Sequence, residues 1–156
     1  MDVTIYYGVS GIRDEARAII RSSLEQKGCF VVDEVTREIK SGIDSLVEKY
    51  TKPHQLVLIL SRNLESRNPF TIDDMIRYQK MLPAIKIILI VEDTEKGRAY
   101  LREMSNNGLY LALYSADTNP NRITDLIVTG RTVVEAREYY GIELKVQSRT
   151  LTLDAA

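Results

Sequence analysis

A glycine-containing turn near the N-terminus could bind an anion. It reads Gly8-Val9-Ser10-Gly11 and leads into a predicted helix, whose free backbone N–H groups would attract negative charge. Arg13 beside the turn, and Ser61-Arg62 after a later apolar segment, could add positive charge and a hydroxyl group. A tight strand-to-helix turn that needs glycine for its backbone angles explains the same residues without a ligand. Both interpretations stay open at the level of the sequence.

Ser10 in this turn could also be a nucleophile. The segment Tyr6-Tyr7-Gly8-Val9-Ser10, followed by a helical pattern and Gly28-Cys29, resembles the start of the serine recombinases, whose nucleophile lies in a Tyr-x-Arg-Val-Ser motif. The resemblance implies that Ser10 attacks and that Arg67 lies in the family's arginine-rich loop, where cationic groups stabilise the charged transition state. Gly8 replaces the arginine of the motif, and the sequence contains no basic DNA-binding tail. A recombinase-like enzyme is therefore an alternative hypothesis.

The remaining reactive residue types form no recognisable metal or catalytic set. Cys29 and His54 are each the only residue of their type, so an internal disulfide and a zinc site of the Cys/His kind both lack ligands. Asp73-Asp74 opens a predicted helix, where acids oppose the helix dipole, and Glu92-Asp93 directly precedes the cap of another. We predict neither a metal site nor a cofactor, and we expect that the chain is not an enzyme.

Composition and charge exclude several classes of protein. The chain has 156 residues, 44% of them hydrophobic, and its 21 Lys+Arg against 22 Asp+Glu give a formal net charge of -1. A chain of this length buries enough surface for one domain with a real core, whereas a nucleic-acid binder needs a positive field that is missing here. The N-terminus lacks the pattern of a signal peptide, and the longest apolar stretches, Leu56–Leu60 and Ile85–Val91, are far shorter than the roughly 20 residues that span a bilayer. We expect a cytoplasmic protein without a membrane segment.

Apolar, β-favouring segments alternate with segments of helical periodicity five times along the chain. Such alternation indicates βαβ units, a parallel sheet and helices on both faces. Gly130 is a candidate break in the last helical stretch. The predicted strands are 3–7, 29–35, 55–61, 85–91 and 109–115, and the predicted helices are 14–27, 38–50, 72–82, 94–105 and 121–140.

These elements predict an α/β fold of the flavodoxin-like kind, a three-layer sandwich around a five-stranded parallel sheet of order 2-1-3-4-5. We place one domain at residues 1–142. The segment 143–156 is predicted to be a tail or linker, although its alternating Leu144, Val146, Leu151 and Leu153 could also form a terminal strand.

The order and lengths of the elements resemble the receiver domains of two-component signalling over residues 3–140. A working receiver has an acidic pair after its first strand, an acceptor aspartate at the end of the third, a hydroxyl residue after the fourth and a lysine after the fifth. At these places the chain has Tyr7-Gly8, Leu60-Ser61-Arg62, Val91-Glu92 with Thr94 close by, and Tyr114-Ser115. Magnesium prefers carboxylate and phosphate oxygens, and these positions offer no acidic pair and no acceptor aspartate. The resemblance therefore implies a pseudo-receiver that does not accept phosphate.

Two further segments extend the resemblance. Asn107-Gly108-Leu109-Tyr110 and Ile123-Thr124-Asp125-Leu126-Ile127 look like the end of the pseudo-receivers that precede ParA/MinD-type ATPase domains in pilus-assembly and mobile-element proteins. In those proteins the domain positions or regulates an ATPase, so the resemblance implies such an ATPase domain as a partner. The chain contains no phosphate-loop motif, so the ATPase would lie outside these residues.

The last predicted helix is the surface on which we expect a partner to bind. Tyrosine and arginine are enriched at protein interfaces, and this stretch carries Arg131, Arg137, Tyr139 and Tyr140. One tyrosine is expected to pack against the sheet and the other to be exposed. We predict a non-catalytic regulatory or protein-interaction module whose contact surface is the last helix and the tail that follows it. Receiver domains often pair through this side of the fold, so the resemblance implies a homodimer.

Overall fold

The computed structural model describes residues 2–8, 13–35, 55–61, 71–82 and 84–141. Within these ranges, strands and helices follow one another as the sequence predicts. The elements are β1 Asp2–Gly8, α1 Asp14–Gln26, β2 Phe30–Val35, β3 Gln55–Ser61, α2 Ile72–Met81, β4 Lys86–Val91, α3 Glu95–Asn106, β5 Ala112–Tyr114, α4 Pro120–Val128 and α5 Val133–Tyr140.

The five strands form one sheet of order β2-β1-β3-β4-β5, and every neighbouring pair is parallel. This confirms the predicted α/β fold and its strand order. The predicted helix at 38–50 and the predicted tail at 143–156 lie outside the described residues. The proposed domain boundary after residue 142 therefore stays a prediction.

Two hydrophobic cores lie on opposite faces of the sheet, and β3 contributes to both. Leu56, Leu58 and Leu60 point into one core, while Val57 and Ile59 point into the other. Because successive side chains of a strand alternate between faces, an unbroken apolar strand is what a sheet covered on both sides requires. Helices α1 and α4 cover one face, and α2, α3 and α5 cover the other, which gives the predicted three layers.

Side-chain caps fix where the helices begin. The Thr71 hydroxyl accepts a hydrogen bond from the backbone N–H of Asp74, whose carboxylate accepts one from the Thr71 N–H, so α2 starts with a capping box. Thr94 caps α3 by accepting from the Gly97 N–H at 3.1 Å. The helix-start interpretation of Asp74 is confirmed. None of the helices in the described ranges is long and apolar enough to cross a bilayer.

The C-terminal part of the fold differs in detail from the prediction. The predicted helix 121–140 is two helices, and Gly130, with φ +72°, lies in the turn between them. The predicted strand 109–115 is paired only as Ala112–Tyr114, and a short 3-10 helix at Ser115–Asp117 follows it. Before the strand, the backbone carbonyls of residues 109 and 110 bind the side chains of Tyr140 and Arg131, contacts that strand propensity does not reveal.

Substitution of Gly97, in the first turn of α3, tests how closely this helix packs against the backbone that precedes it. A Cβ atom at position 97 would overlap the backbone carbonyl oxygen of Glu92. We expect Gly97→Ala to destabilise the protein by about 1–3 kcal/mol through overpacking, outweighing the roughly 1 kcal/mol that alanine gains in helix propensity. Urea denaturation would measure this, with the exposed Lys96→Ala as a control of unchanged stability. A Gly97→Ala variant as stable as the wild type would contradict the contact.

Candidate functional site at the strand ends and the edge of β5

The register of the sheet brings the carboxyl ends of four strands together. Gly8 of β1 pairs with Leu60 of β3, and Ser61 pairs with Ile90 of β4. Val91 pairs with Tyr114 at the end of β5. Ligands of open α/β sheets bind at this edge, beside the point where the strand order reverses. The positions compared with receiver domains in the sequence are therefore neighbours in space.

Tyr7 occupies the end of β1 with a ring that is fully buried in the core. Its hydroxyl is buried and finds no hydrogen-bond partner within the described ranges, and burial raises the pKa of Tyr7 well above its usual value. Leu60 at the end of β3 is buried as well. These two positions contribute apolar volume to the core and no carboxylate to the sheet edge.

The polar groups after β4 and β5 hold the local backbone together. The Ser115 hydroxyl donates to the backbone carbonyl of Val91 at 3.1 Å, which joins the ends of the two strands. Asp93 forms an exposed ion pair with Arg98 at 2.8 Å, and Thr94 caps α3. No cluster of three or more His, Cys, Asp or Glu side chains that could hold a metal ion occurs in the part of the chain that the structure describes.

The predicted anion site is only partly described. Gly8 ends β1, and Arg13 precedes α1 with an exposed side chain that makes no capping hydrogen bond. Ser61 ends β3. Ser10, Gly11 and Arg62 lie outside the described residues, as do Arg67 of the recombinase-like hypothesis and His54. The anion-binding and recombinase-like hypotheses both stay predictions.

The outer edge of β5 is the second candidate site. Among the residues that the structure describes, β5 is the last strand of the sheet, and one side of it has no neighbouring strand to bond with. The Leu111 carbonyl accepts from the Leu89 N–H at 3.1 Å, and alternate residues of a strand turn their backbone groups to opposite sides. Ala112 and Tyr114 therefore direct their N–H and C=O groups outward, where an open edge would invite pairing with another chain.

Two tyrosines of α5 satisfy the outward N–H groups. The Tyr140 hydroxyl accepts from the Ala112 N–H at 3.0 Å and donates to the Leu109 carbonyl at 3.0 Å. The Tyr139 hydroxyl accepts from the Tyr114 N–H at 3.0 Å and donates to the Asp117 carboxylate at 2.6 Å. Each hydroxyl acts as donor and acceptor at once, which a phenol can do only while it is protonated.

The outward carbonyls are satisfied in the same way. Arg131 donates to the Ala112 carbonyl and also to the Tyr110 carbonyl, the latter at 3.3 Å. The Thr118 hydroxyl donates to the Tyr114 carbonyl at 3.1 Å. All four outward backbone groups of Ala112 and Tyr114 thus bond to side chains, which replace a sixth strand.

The aromatic rings of this cluster stack on one another and on arginine. The Arg131 guanidinium lies 4.1 Å from the centre of the Tyr139 ring, within the range of a cation–π contact. The Tyr114 and Tyr139 ring centres are 5.4 Å apart. Burial, together with the hydrogen bond to Asp117, raises the pKa of Tyr139 to about 12, and burial also raises the pKa of Tyr140. Both hydroxyls stay protonated at neutral pH and keep their dual hydrogen bonds.

The structure brings together three of the four residues predicted to form an interface, at the edge of the chain's own sheet. Tyr140 is buried, as expected of one tyrosine, but Tyr139 is half-buried where exposure was expected. Arg131 is engaged with the β5 backbone, and Arg137 is half-buried with an Nε atom that has no partner among the described residues. Whether these residues also meet a partner stays a prediction.

Sequence reasoning missed several members of the cluster. Tyr114 and Asp117 were not singled out for this role, because their function depends on a helix more than 20 residues away. Thr118, which bonds to the Tyr114 carbonyl four residues before it, was missed as well. The exposed apolar residues of α5 were missed as well: Val133 and Val134 have 46% and 52% of their surface exposed. Helical spacing could have identified Val134, which lies on the helix well away from the buried Ala136 and Tyr140. Val133 precedes these two residues by three and seven positions, so it lies on their side of the helix and is exposed in the first turn.

The sheet order, the three layers and the arrangement of strand ends define an α/β protein of receiver-like fold. No protein-family model and no curated protein matches the chain. Among solved structures, the response regulator RcsB from Salmonella enterica serovar Typhimurium, determined bound to promoter rprA in the presence of the phosphomimetic BeF3-, is similar to it. The match covers 99% of this chain and 91% of that chain, with a TM-score of 0.52 and 18% sequence identity. A likeness at this identity concerns the fold, and it confirms the receiver-like fold that the sequence predicted.

Tyr140→Phe tests the bonding of the β5 edge. Removing the hydroxyl leaves the buried Ala112 N–H and Leu109 carbonyl without their partner, so we expect a loss of about 1–3 kcal/mol in the free energy of unfolding. Tyr110→Phe is the matched control, because the Tyr110 hydroxyl makes no hydrogen bond to the described residues. Equal stability of the two variants in chemical denaturation would refute the edge contacts.

Proposed function

We propose that the chain is a regulatory or protein-interaction module of receiver-like fold that works without accepting phosphate. The observation that carries this proposal is the set of residues at the strand ends. A buried tyrosine ring and a buried leucine stand at the ends of β1 and β3, where phosphate chemistry would need carboxylates that hold Mg²⁺ and receive the phosphoryl group. The receiver-like fold supports a regulatory role. Because a tyrosine ring and a leucine fill the strand ends, the module would act by binding a partner and not by phosphotransfer.

Exposure to a small phosphoryl donor tests the absence of phosphotransfer. We expect the intact mass to stay unchanged after incubation with acetyl phosphate and Mg²⁺, because the strand ends of β1 and β3 offer no acidic pair and no acceptor carboxylate. Beryllium fluoride with Mg²⁺ is expected to leave the melting temperature and the amide NMR shifts of β1 and β4 unchanged. A functional receiver domain treated in parallel shows that the reagents are active. A stable adduct of one phosphoryl group, or saturable beryllium fluoride binding, would disprove the proposal.

The contact surface we propose is the outer face of α5. Its tyrosines and the preceding Arg131 are engaged with the chain's own sheet, and Val134 remains exposed on the solvent side, with the exposed Val133 of the first turn next to it in the chain. Glu135 and Glu138 border this pair on the same short helix. An apolar centre with a polar rim is the usual anatomy of a protein interface, and a second copy of the chain is the partner we propose for it.

A charge at the centre of this face tests homodimer formation. We expect Val134→Asp to weaken self-association at least about tenfold, because an unpaired carboxylate would have to be desolvated in the interface. Sedimentation equilibrium over a range of concentrations measures this effect. Val32→Asp is the control, since Val32 is a comparably exposed valine on β2 at the opposite edge of the sheet. A wild-type chain that stays monomeric, or equal association of both variants, would rule out the α5 face.

The ParA/MinD-type ATPase partner also stays a prediction from the sequence resemblance. The DNA beyond the codon for Ala156 tests it. A phosphate-loop motif in the same reading frame would support an ATPase domain as the partner, and a basic DNA-binding segment in that position would favour the recombinase-like alternative.

A further inference from the structure

Helix α5 closes the edge of β5, yet its own attachment to the domain is narrow. Only two of its side chains, Ala136 and Tyr140, are buried, and Val133 and Val134 face solvent. Gly130 and Gly141 on either side of the helix both have φ +72°, a conformation that glycine adopts without strain. The helix is thus bounded by two residues that can change backbone direction easily.

Besides the buried Ala136 and Tyr140 side chains, α5 is held by hydrogen bonds to backbone groups, and each such bond exchanges with water at small net cost when the helix opens. Tyr139 and Tyr140 reach the β5 edge through their hydroxyls, and the Tyr114 hydroxyl donates to the Tyr140 carbonyl at 3.2 Å. The buried Nε of Arg137 has no partner within the described ranges, which is a cost of the docked position that release would remove. Elements with few buried apolar contacts are the ones that open before the rest of a domain.

We propose that α5 is autoinhibitory, because it covers the outer edge of β5 and so prevents another strand from pairing there. When α5 leaves the sheet, the outer edge of β5 pairs in antiparallel fashion with β5 of a second copy of the chain. The two sheets then join into one across the dimer. This inference concerns the edge of the sheet, and it stands or falls independently of the proposed contact on the outer face of α5.

The geometry of the edge favours a second copy as the occupant. Ala112 and Tyr114 flank Leu113, and each turns one N–H and one C=O outward. A two-fold axis at Leu113 sets Ala112 of one chain opposite Tyr114 of the other, so that each pair exchanges two N–H···O bonds. Four backbone bonds in the dimer take the place of the four side-chain bonds of the closed state, of which two come from Tyr139 and Tyr140 of α5 and two from Thr118 and from Arg131 just before the helix. The surface is complementary to itself, as a two-fold dimer requires.

Amide hydrogen exchange on the full chain tests whether α5 opens separately. We expect the Ala112 and Tyr114 amides to exchange at least about tenfold faster than those of Leu58 and Ile88 in the central strands, because release of α5 alone exposes them. Thr132→Ala removes the capping box of α5 and is expected to accelerate the two edge amides roughly fivefold while leaving Leu58 and Ile88 unchanged.

Thr71→Ala is the matched control, because it removes the equivalent capping box of α2. It is expected to leave the edge amides unaffected. If Thr132→Ala accelerates all strands equally, α5 opens only when the whole domain unfolds, and the cover hypothesis is wrong.

Self-association of a variant in which α5 is released tests whether a second copy of the chain pairs with β5. Tyr139→Phe combined with Tyr140→Phe removes both bonds to the outward N–H groups, and Thr132→Ala serves as the milder variant if the double one does not fold. We expect the opened chain to dimerise more tightly than the wild type, with renewed protection of the Ala112 and Tyr114 amides as concentration rises. A monomeric variant with freely exchanging edge amides, or a dimer that leaves them unprotected, would overturn β5 pairing. Val134→Asp added to this variant distinguishes the two dimers, since it affects the α5 face and not the β5 edge.

Discussion

Hydrogen bonding at the outer edge of β5 is the constraint on which the C-terminal part of this domain depends. A backbone N–H or C=O group that is removed from water must find a partner, and the last strand of an open sheet has one side without a neighbour. Here two tyrosine hydroxyls, one guanidinium and one threonine hydroxyl supply the partners. The docked position of α5 and the orientation of both tyrosines meet this requirement.

The same requirement explains why tyrosine and arginine side chains, which are common at protein interfaces, bind to the chain's own sheet here. Tyrosine and arginine combine apolar surface with directional hydrogen bonds, which makes them suitable for a partner's surface and equally for the bare edge of a sheet. Once Arg131, Tyr139 and Tyr140 are engaged there, the solvent side of α5 carries the exposed Val134 together with Glu135 and Glu138. The helix therefore has one side bonded to the sheet and another that faces solvent.

The carboxyl ends of the strands are brought together by the backbone of the sheet. Parallel pairing in fixed register brings the ends of β1, β3, β4 and β5 together whatever their side chains are. Tyr7 and Leu60 fill two of these positions with core volume, and Ser115 ties β5 to β4. The fold therefore does not determine the chemistry of the site, as is usual for folds that serve many functions. For this chain we propose regulation through binding of a protein partner.

The sequence alone determined the sheet, because apolar runs of strand length separated by helical periodicity leave few other arrangements for a chain of this size. It also located Asp73-Asp74 at the start of a helix and Gly130 as a break, since these depend on neighbours within a few residues. Only the tertiary structure decided what Tyr139, Tyr140 and Arg131 do, because their partners at residues 109–117 are brought to them by the packing of α5 against the sheet. Local patterns predict elements and their ends, whereas bonds between a helix and a distant strand edge depend on how those elements come together.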